Sequence, residues 1–184
     1  MTGSITLGNH SDILIMGAGP AGLSLALAVA RHGLSVRVID RITPETLADT
    51  AFDGRASALA STSWQMLQNL GLADSLWRDA CPIDRIAVSD GLRRGSLDFD
   101  AGVYGMGVML PNSLLRAALY QAASADADID LVMGAEVAHR AVDAHRATVS
   151  LADGRIFTAS LLVGAEGRVS PTRDLAGIGL NQWS

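Results

Sequence analysis

The sequence predicts an α/β fold built on a βαβ unit with parallel strands. Three observations predict it. Residues 12–16 consist of Asp12 and a continuous apolar run, which is typical of a strand covered on both faces. Residues 20–31 are rich in Ala and Leu and end just before Gly33, as a helix would. Residues 35–40 are again apolar at strand spacing, and the three segments together have the length of one right-handed βαβ unit.

The middle of the chain is predicted to be mixed. Residues 41–54 contain a proline and scattered polar side chains, and we expect a loop there. Apolar residues at helical spacing predict helices over 56–70, 73–78 and 112–123, the first of them ending at Gly71. Residues 83–110 alternate apolar and polar side chains, which favours short strands.

The last third is predicted to consist mainly of strands. Strand patterns cover residues 129–132, 136–142 and 147–151. Asp153-Gly154 is a strong hairpin signal, so residues 155–158 are expected to form the return strand. Residues 161–163 form another buried run of the parallel type, followed by Gly164-Ala165-Glu166-Gly167.

Composition excludes several classes of protein. With 184 residues, 49% hydrophobic and 18% charged, the chain suits a globular domain and not a disordered one. All 14 basic residues are arginine, which excludes a Walker-A loop and a lysine Schiff base. A net charge of -5 argues against nucleic acid as the main partner. One cysteine and four histidines without i, i+4 spacing give no reason to expect a disulfide or a metal site.

One uncharged stretch resembles a membrane helix at first sight. Residues 13–30 carry no charge, but Gly17, Gly19, Pro20 and Gly22 interrupt them. No basic segment precedes the stretch, so it does not read as a signal peptide either. We therefore expect a strand, a turn and a helix, with no transmembrane segment.

The turn in this stretch carries a nucleotide-binding motif. Gly17-Ala18-Gly19-Pro20-Ala21-Gly22 is a G-x-G-x-x-G between a predicted strand and a predicted helix. Gly17 permits the tight turn, Gly19 leaves room for a pyrophosphate, and Gly22 allows close packing of the helix. Asp40, 18 residues after Gly22, would accept hydrogen bonds from ribose hydroxyls and disfavour a 2′-phosphate. The motif alone does not decide between NAD and FAD.

Four segments resemble one enzyme family. They are residues 13–40, Asp53-Gly54-Arg55-Ala56-Ser57-Ala58-Leu59, residues 112–119 beginning at Asn112, and residues 164–173 beginning with the G-A-E-G motif. Together they resemble the FAD-dependent aromatic-ring monooxygenases of the p-hydroxybenzoate hydroxylase class, and within them the ubiquinone-biosynthesis hydroxylases. The resemblance runs from about Asp12 to the last residue.

The resemblance implies a set of cofactor-binding residues and assigns no catalytic residue. Glu166 stands where the family has an aspartate that organises both FAD and reduced-nicotinamide binding. Asp40 stands where the family more often has glutamate. The implied FAD contacts are Gly17, Gly19, Pro20, Ala21 and Gly22 at the pyrophosphate, Asp40 at the ribose, Arg55 at the phosphate and ribityl side, the backbone of Val137 at the adenine, and Arg41, Asn112 and Glu166 close by.

The resemblance also implies a domain order. It implies an FAD-binding Rossmann-like βαβ fold with a β-meander crossover and the start of a substrate sheet, truncated relative to the family. We expect a leader over residues 1–11 and FAD-binding βαβ and helices over 12–82. The first substrate-domain strands would lie in 83–110 and the rest of the FAD-binding domain in 111–184.

The expected activity is the hydroxylation of an aromatic small molecule with FAD, O2 and NADPH or NADH. The subgroup favours a prenylated phenol of ubiquinone biosynthesis as substrate. A cytoplasmic location is expected, and peripheral membrane or multiprotein association is compatible with the resemblance. Two alternatives stay open: a non-catalytic FAD-binding fragment, and an NAD-dependent oxidoreductase of another family.

Overall fold

A computed structural model describes residues 8–91, 96–102 and 105–181. Backbone proximity divides the chain into two compact units, Met1–Ala48 with Leu119–Ser184 and Asp49–Ala118. In chain order the described elements are β1 (His10–Met16), α1 (Pro20–Ala30), β2 (Val36–Ile39), α2 (Pro44–Ala48), β3 (Ala56–Ala60), α3 (Ser61–Asn69), α4 (Ala73–Leu76), a 3-10 turn (Trp77–Asp79), β4 (Cys81–Pro82), β5 (Arg85–Ser89), β6 (Ser96–Asp100), β7 (Gly107–Pro111), α5 (Asn112–Ala125), β8 (Ile129–Val132), β9 (Val137–Val142), β10 (Ala147–Leu151), β11 (Ile156–Gly164) and α6 (Pro171–Leu175).

The first unit is built on a six-stranded sheet in the order β8-β2-β1-β11-β10-β9. The strands from β8 to β11 are parallel, and Ile15 lies opposite Val38 on one side and Val163 on the other. α1 packs against β1, β2 and β8. Leu14, Ile15 and Val38 are fully buried, as expected of strands covered on both faces. The predicted parallel βαβ unit is confirmed.

A three-stranded antiparallel meander, β9-β10-β11, completes this sheet. It confirms the predicted β-meander crossover and the Asp153-Gly154 hairpin. The sequence predicted two strands over 155–158 and 161–163, and this is wrong: they are one strand, β11. Its first part pairs with β10 and its later part continues alongside β1, so both parts have a neighbour that keeps them extended.

One charged side chain is enclosed by this sheet. Arg37 on β2 is only 1% exposed, and its Nε donates to Asp130 Oδ2 at 2.6 Å. Its Nη2 donates to the carbonyl oxygen of Gly8 at 2.8 Å, and its guanidinium lies 4.1 Å from the ring centre of Phe157. An ion pair, a backbone acceptor and an aromatic face together compensate for the lost hydration of the cation.

The second unit contains a three-stranded sheet, β3-β7-β4, and the separate hairpin β5-β6. On one face of the hairpin Ile86 pairs with Phe99 and Val88 with Leu97, and these four side chains are 41–63% exposed. On the same two strands Arg85 forms an ion pair of 2.8 Å with Asp98.

The sequence predicts one helix over residues 56–70, and this prediction is wrong for residues 56–60. Residues 56–60 form β3, antiparallel to β7 with Ala58 opposite Met109, and the helix α3 begins only at Ser61. Alanine favours helices, but pairing with a strand about fifty residues later overrides that preference.

Two short helices were not expected. In the predicted loop 41–54, α2 begins at Pro44, the Thr46 N–H reaches Thr43 Oγ1 at 3.5 Å, and Leu47 is buried. α6 begins at Pro171, and the Oγ of Ser170 accepts a hydrogen bond from the Arg173 N–H at 3.2 Å. In both cases proline occupies the first helical turn, where its missing N–H costs least.

Two further features are absent from residues 8–91, 96–102 and 105–181. None of the helices there is long and apolar enough to span a membrane, and residues 13–30 divide into β1, a turn and α1 as predicted. In the same ranges no three His, Cys, Asp or Glu side chains lie together as metal ligands would. The domain boundaries inferred from the sequence stay a prediction.

Candidate cofactor site

The turn between β1 and α1 requires glycine at its first position. Gly17 has φ +109°, and a Cβ built there would lie 2.5 Å from the carbonyl oxygen of Ala165. The turn is held by hydrogen bonds from the Gly17 N–H to the Ile39 carbonyl (2.8 Å) and from the Ala165 N–H to the Met16 carbonyl (2.7 Å). The ends of three parallel strands therefore meet at this turn.

The N-terminus of α1 is open. Gly19 is the N-cap, no side chain of the described residues caps it, and a Cβ at Gly19 would meet nothing within 4 Å. Pro20 occupies the first turn, so the backbone N–H groups of the next residues, beginning with Ala21, point out of the helix unpaired by its own carbonyls. Such an end attracts an anion, and the empty space at Gly19 would let a pyrophosphate approach.

Gly22 serves the packing that the motif predicts for it. A Cβ at Gly22 would lie 2.0 Å from the carbonyl oxygen of Gly17 and 3.3 Å from the Cβ of Ala165. The first turn of α1 therefore rests directly on the glycine turn and on the end of β11.

Asp40 directly follows β2 and fixes two loops. Its Oδ2 accepts the Ala18 N–H at 2.6 Å, and its Oδ1 accepts the Ile42 N–H at 2.9 Å. A carboxylate offers about four acceptor positions, so two remain for hydroxyl donors. The arrangement is compatible with the ribose contact that the motif predicts. It also gives Asp40 a role that the motif does not predict, which is to hold the backbone of Ala18 and Ile42.

A cavity of about 1060 Å³ opens beside these residues within the first unit. It lies at the upper end of the usual range for small-molecule sites. Its lining includes Gly17, Asp40, Arg41, Val137, Arg140 and Glu166. The structure thus brings five of the predicted residues to one cavity, although their positions span most of the chain.

Glu166 is the most strongly bonded of them. Its Oε1 accepts from Arg140 Nη2 at 2.9 Å, and its Oε2 accepts from Ser170 Oγ at 2.6 Å and from the Thr172 N–H at 3.1 Å. The Glu166 and Arg140 side chains are 12% and 17% exposed. Sequence reasoning did not find Arg140, because it belongs to no motif and its partner lies 26 residues away.

Arg55 and Asn112 lie in the second unit, where the structure brings their two motifs together. The Asn112 N–H donates to the Arg55 carbonyl at 3.1 Å, and Ser57 Oγ donates to Asn112 Oδ1 at 2.6 Å. The Arg55 side chain is 69% exposed and donates through Nη2 to Asp53 at 2.8 Å. The side-chain hydrogen bond from Arg55 is the main cause that lowers the pKa of Asp53.

These features fit a dinucleotide. An uncapped helix end, an open position at Gly19, a carboxylate with spare acceptor positions at Asp40 and a cavity of suitable volume are what adenosine and a pyrophosphate require. The residues present therefore match FAD at its adenosine end.

Comparison with known proteins agrees with the site. Residues 10–183 match the family model described as FAD binding domain. The chain is 38% identical over 172 residues to the ubiquinone hydroxylase UbiL of Rhodospirillum rubrum, covering 92% of this chain and 40% of that protein. It is 34% identical over 179 residues to the 3-demethoxyubiquinol 3-hydroxylase of Escherichia coli, covering 94% and 45%.

Among solved structures, the chain is similar to PqsL, a probable FAD-dependent monooxygenase from Pseudomonas aeruginosa. The TM-score is 0.79 at 23% identity, over 95% of this chain and 48% of PqsL. At this identity the likeness shows the fold. The chain spans less than half the length of each of these three proteins.

Proposed function

Because the chain belongs to the FAD-binding domain family, we propose that it is the FAD-binding part of a monooxygenase that hydroxylates an aromatic ring with O2 and NADPH or NADH. The observation that carries the proposal is the open N-terminus of α1 at Gly19, close to a cavity lined by Asp40 and Val137. When bound, FAD would supply the redox and oxygen chemistry, as cofactors do.

The chain's own residues would bind and orient that group. The backbone of Gly17, Gly19 and Ala21 would hold the pyrophosphate at the positive end of α1, with Pro20 and Gly22 shaping the turn. Asp40 would accept the ribose hydroxyls, and the backbone of Val137 would contact the adenine.

The other predicted residues would contact FAD or support the residues that do. Arg55 would bring a permanently charged, forked donor to the phosphate and ribityl side, with Asn112 near it and Arg41 at the cavity. Glu166 would hold the turn after β11. These roles follow from the resemblance of the motifs; Arg41 and Glu166 are supported in addition by their place in the lining of the cavity.

The names of two relatives support a substrate class. Two of them are named as ubiquinone-pathway hydroxylases, UbiL and the 3-demethoxyubiquinol 3-hydroxylase. We therefore propose a prenylated phenol of ubiquinone biosynthesis as the substrate of the whole enzyme.

Titration with FAD tests the proposal. The purified chain should quench flavin fluorescence and take up FAD, and Gly19→Val should abolish binding while circular dichroism stays unchanged. Gly179→Val is the matched control. A Cβ at Gly179 also meets nothing within 4 Å, and Gly179 belongs neither to the glycine motif nor to the lining of the cavity. An NAD-dependent oxidoreductase would instead change NADH fluorescence and ignore FAD. Equal FAD affinity of Gly19→Val and wild type would refute the placement of the pyrophosphate.

A further inference from the structure

Arg140 has no role in the function proposed so far, yet it lines the same cavity as Asp40 and Val137. It lies on β9, the edge strand of the six-stranded sheet. Its Nη2 donates to Glu166 at 2.9 Å, and its Nε is buried without a hydrogen-bond partner among the described residues. The orientation of this guanidinium therefore depends on Glu166.

Glu166 in turn connects two elements that contribute to the lining of the cavity, β9 and α6. Through Oε2 it binds Ser170 and Thr172, four and six residues further along the chain, at the first turn of α6. Through Oε1 it reaches Arg140, 26 residues before it, on β9. One carboxylate thus fixes the G-A-E-G turn both to α6 and to β9.

The length of the side chain matters for this span. An aspartate would be shorter by one methylene, about 1.5 Å. Contacts with Ser170 and Thr172 lie within one short segment, which can adjust, whereas Arg140 is anchored in a sheet. The contact that an aspartate would lose is the one to Arg140, so glutamate at 166 and arginine at 140 belong together.

We propose that Arg140 is a positioning residue of the cofactor site: by holding Glu166 it fixes the G-A-E-G turn at the distance from β9 that the adenosine end of FAD requires. The pair is largely shielded from water, which strengthens the charge-assisted hydrogen bond and makes removal of either partner costly. This inference rests on the proposed function, since it assumes that the cavity takes an adenine dinucleotide.

Binding of FAD and of ADP to Arg140→Met, Glu166→Asp and the double variant tests the inference. ADP carries the adenosine and both phosphates without the flavin. Each single variant should raise the Kd of both ligands about tenfold or more, and the double variant should bind no worse than Arg140→Met, because both changes remove the same contact. Arg155→Met is the matched control: its ion pair with Asp153 has nearly the same length, 2.8 Å against 2.9 Å, but is about half exposed, and neither residue lines the cavity. Its Kd should stay within about twofold of wild type, as expected for a surface pair.

Urea unfolding without ligand separates positioning from a structural role. A purely structural pair would lower the free energy of unfolding and leave the Kd of the folded fraction unchanged, and that result would overturn the inference. If Arg140→Met does not fold, Glu166→Asp decides, since it keeps the charge and the local contacts. A wild-type chain that binds neither FAD nor ADP would overturn the proposed function and this inference with it. A wild type that binds, with both single variants binding equally well, would overturn the inference alone.

Discussion

At the scale of single residues, two of the three glycines in the motif have different roles. Gly22 fills a place where a Cβ would lie 2.0 Å from the Gly17 carbonyl oxygen, whereas Gly19 faces space in which a Cβ meets nothing within 4 Å. Gly22 serves the packing of the fold, and Gly19 leaves space for a ligand. The same residue type therefore predicts different consequences at the two positions.

We expect Gly22→Ala to lower the free energy of unfolding by about 1–3 kcal/mol or more, because backbone must shift to admit the methyl group. Gly19→Ala should cost less than about 1 kcal/mol, since its extended backbone accepts alanine at an N-cap with a small loss. Urea unfolding followed by circular dichroism measures both. Equal losses in the two variants would contradict the packing role of Gly22.

The Asp40 side chain bonds two backbone N–H groups. Where the family more often has glutamate, the aspartate here bonds the backbone of Ala18 and Ile42 directly. Its carboxylate therefore links the glycine turn to the loop after β2, and any ribose contact shares the same oxygens.

At the scale of elements, the start of β1 is joined to the residue before β2 by a compact set of hydrogen bonds. Asp12 Oδ2 accepts from the Ser35 N–H at 2.8 Å and from Ser35 Oγ at 2.6 Å, and the Asp12 N–H donates to Ser35 Oγ at 2.9 Å. The side-chain hydrogen bond from Ser35 is the main cause that holds the pKa of Asp12 below its ordinary value of 3.8.

A pH dependence follows from this pKa. Because the pKa is lower in the folded state, the ionised Asp12 stabilises the fold above the unfolded-state pKa of about 3.9, and that contribution is lost as pH falls through the folded-state pKa. We expect wild type to lose more stability between pH 6 and pH 3 than Asp12→Asn, and Ser35→Ala to resemble Asp12→Asn. Urea unfolding at both pH values measures the difference. Parallel losses in wild type and Asp12→Asn would show that this carboxylate contributes nothing to the pH dependence.

Elements whose signal is local could be predicted from the sequence. β1, α1 and β2 each carry their own apolar pattern, and the glycine turn carries its own motif. β3 could not be predicted, because five residues of alanine, serine and leucine become a strand only beside β7. The candidate site shows the same contrast. Gly17 and Asp40 belong to a local motif and could be predicted, whereas Arg140 could not, because its contact with Glu166 depends on how the meander folds back.

At the scale of the whole molecule, apolar surface is distributed unevenly. Leu14 in the first unit is 0% exposed, whereas Leu97 on the β5-β6 hairpin of the second is 63% exposed. The ladder of Ile86, Phe99, Val88 and Leu97 therefore adds little to stability through burial within this chain.

We expect Leu14→Ala to cost about 2–5 kcal/mol of unfolding free energy and Leu97→Ala less than about 0.5 kcal/mol. The two variants remove the same atoms, so the difference reports burial alone. Urea denaturation followed by circular dichroism gives both values. A large loss for Leu97→Ala would show that the hairpin face is covered in solution.

The pairing of β1 with β11 joins residues as far apart as His10 and Thr158, 148 positions along the chain. On the ribosome, β1, α1 and β2 are made before β11, which at 5–20 residues per second follows β1 roughly 7 to 30 s later. During that interval β1 has no neighbour on one side, and an unpaired apolar strand edge is a surface on which other chains can add. The nascent chain is thus open to misassembly at a strand that later lies in the interior of its sheet.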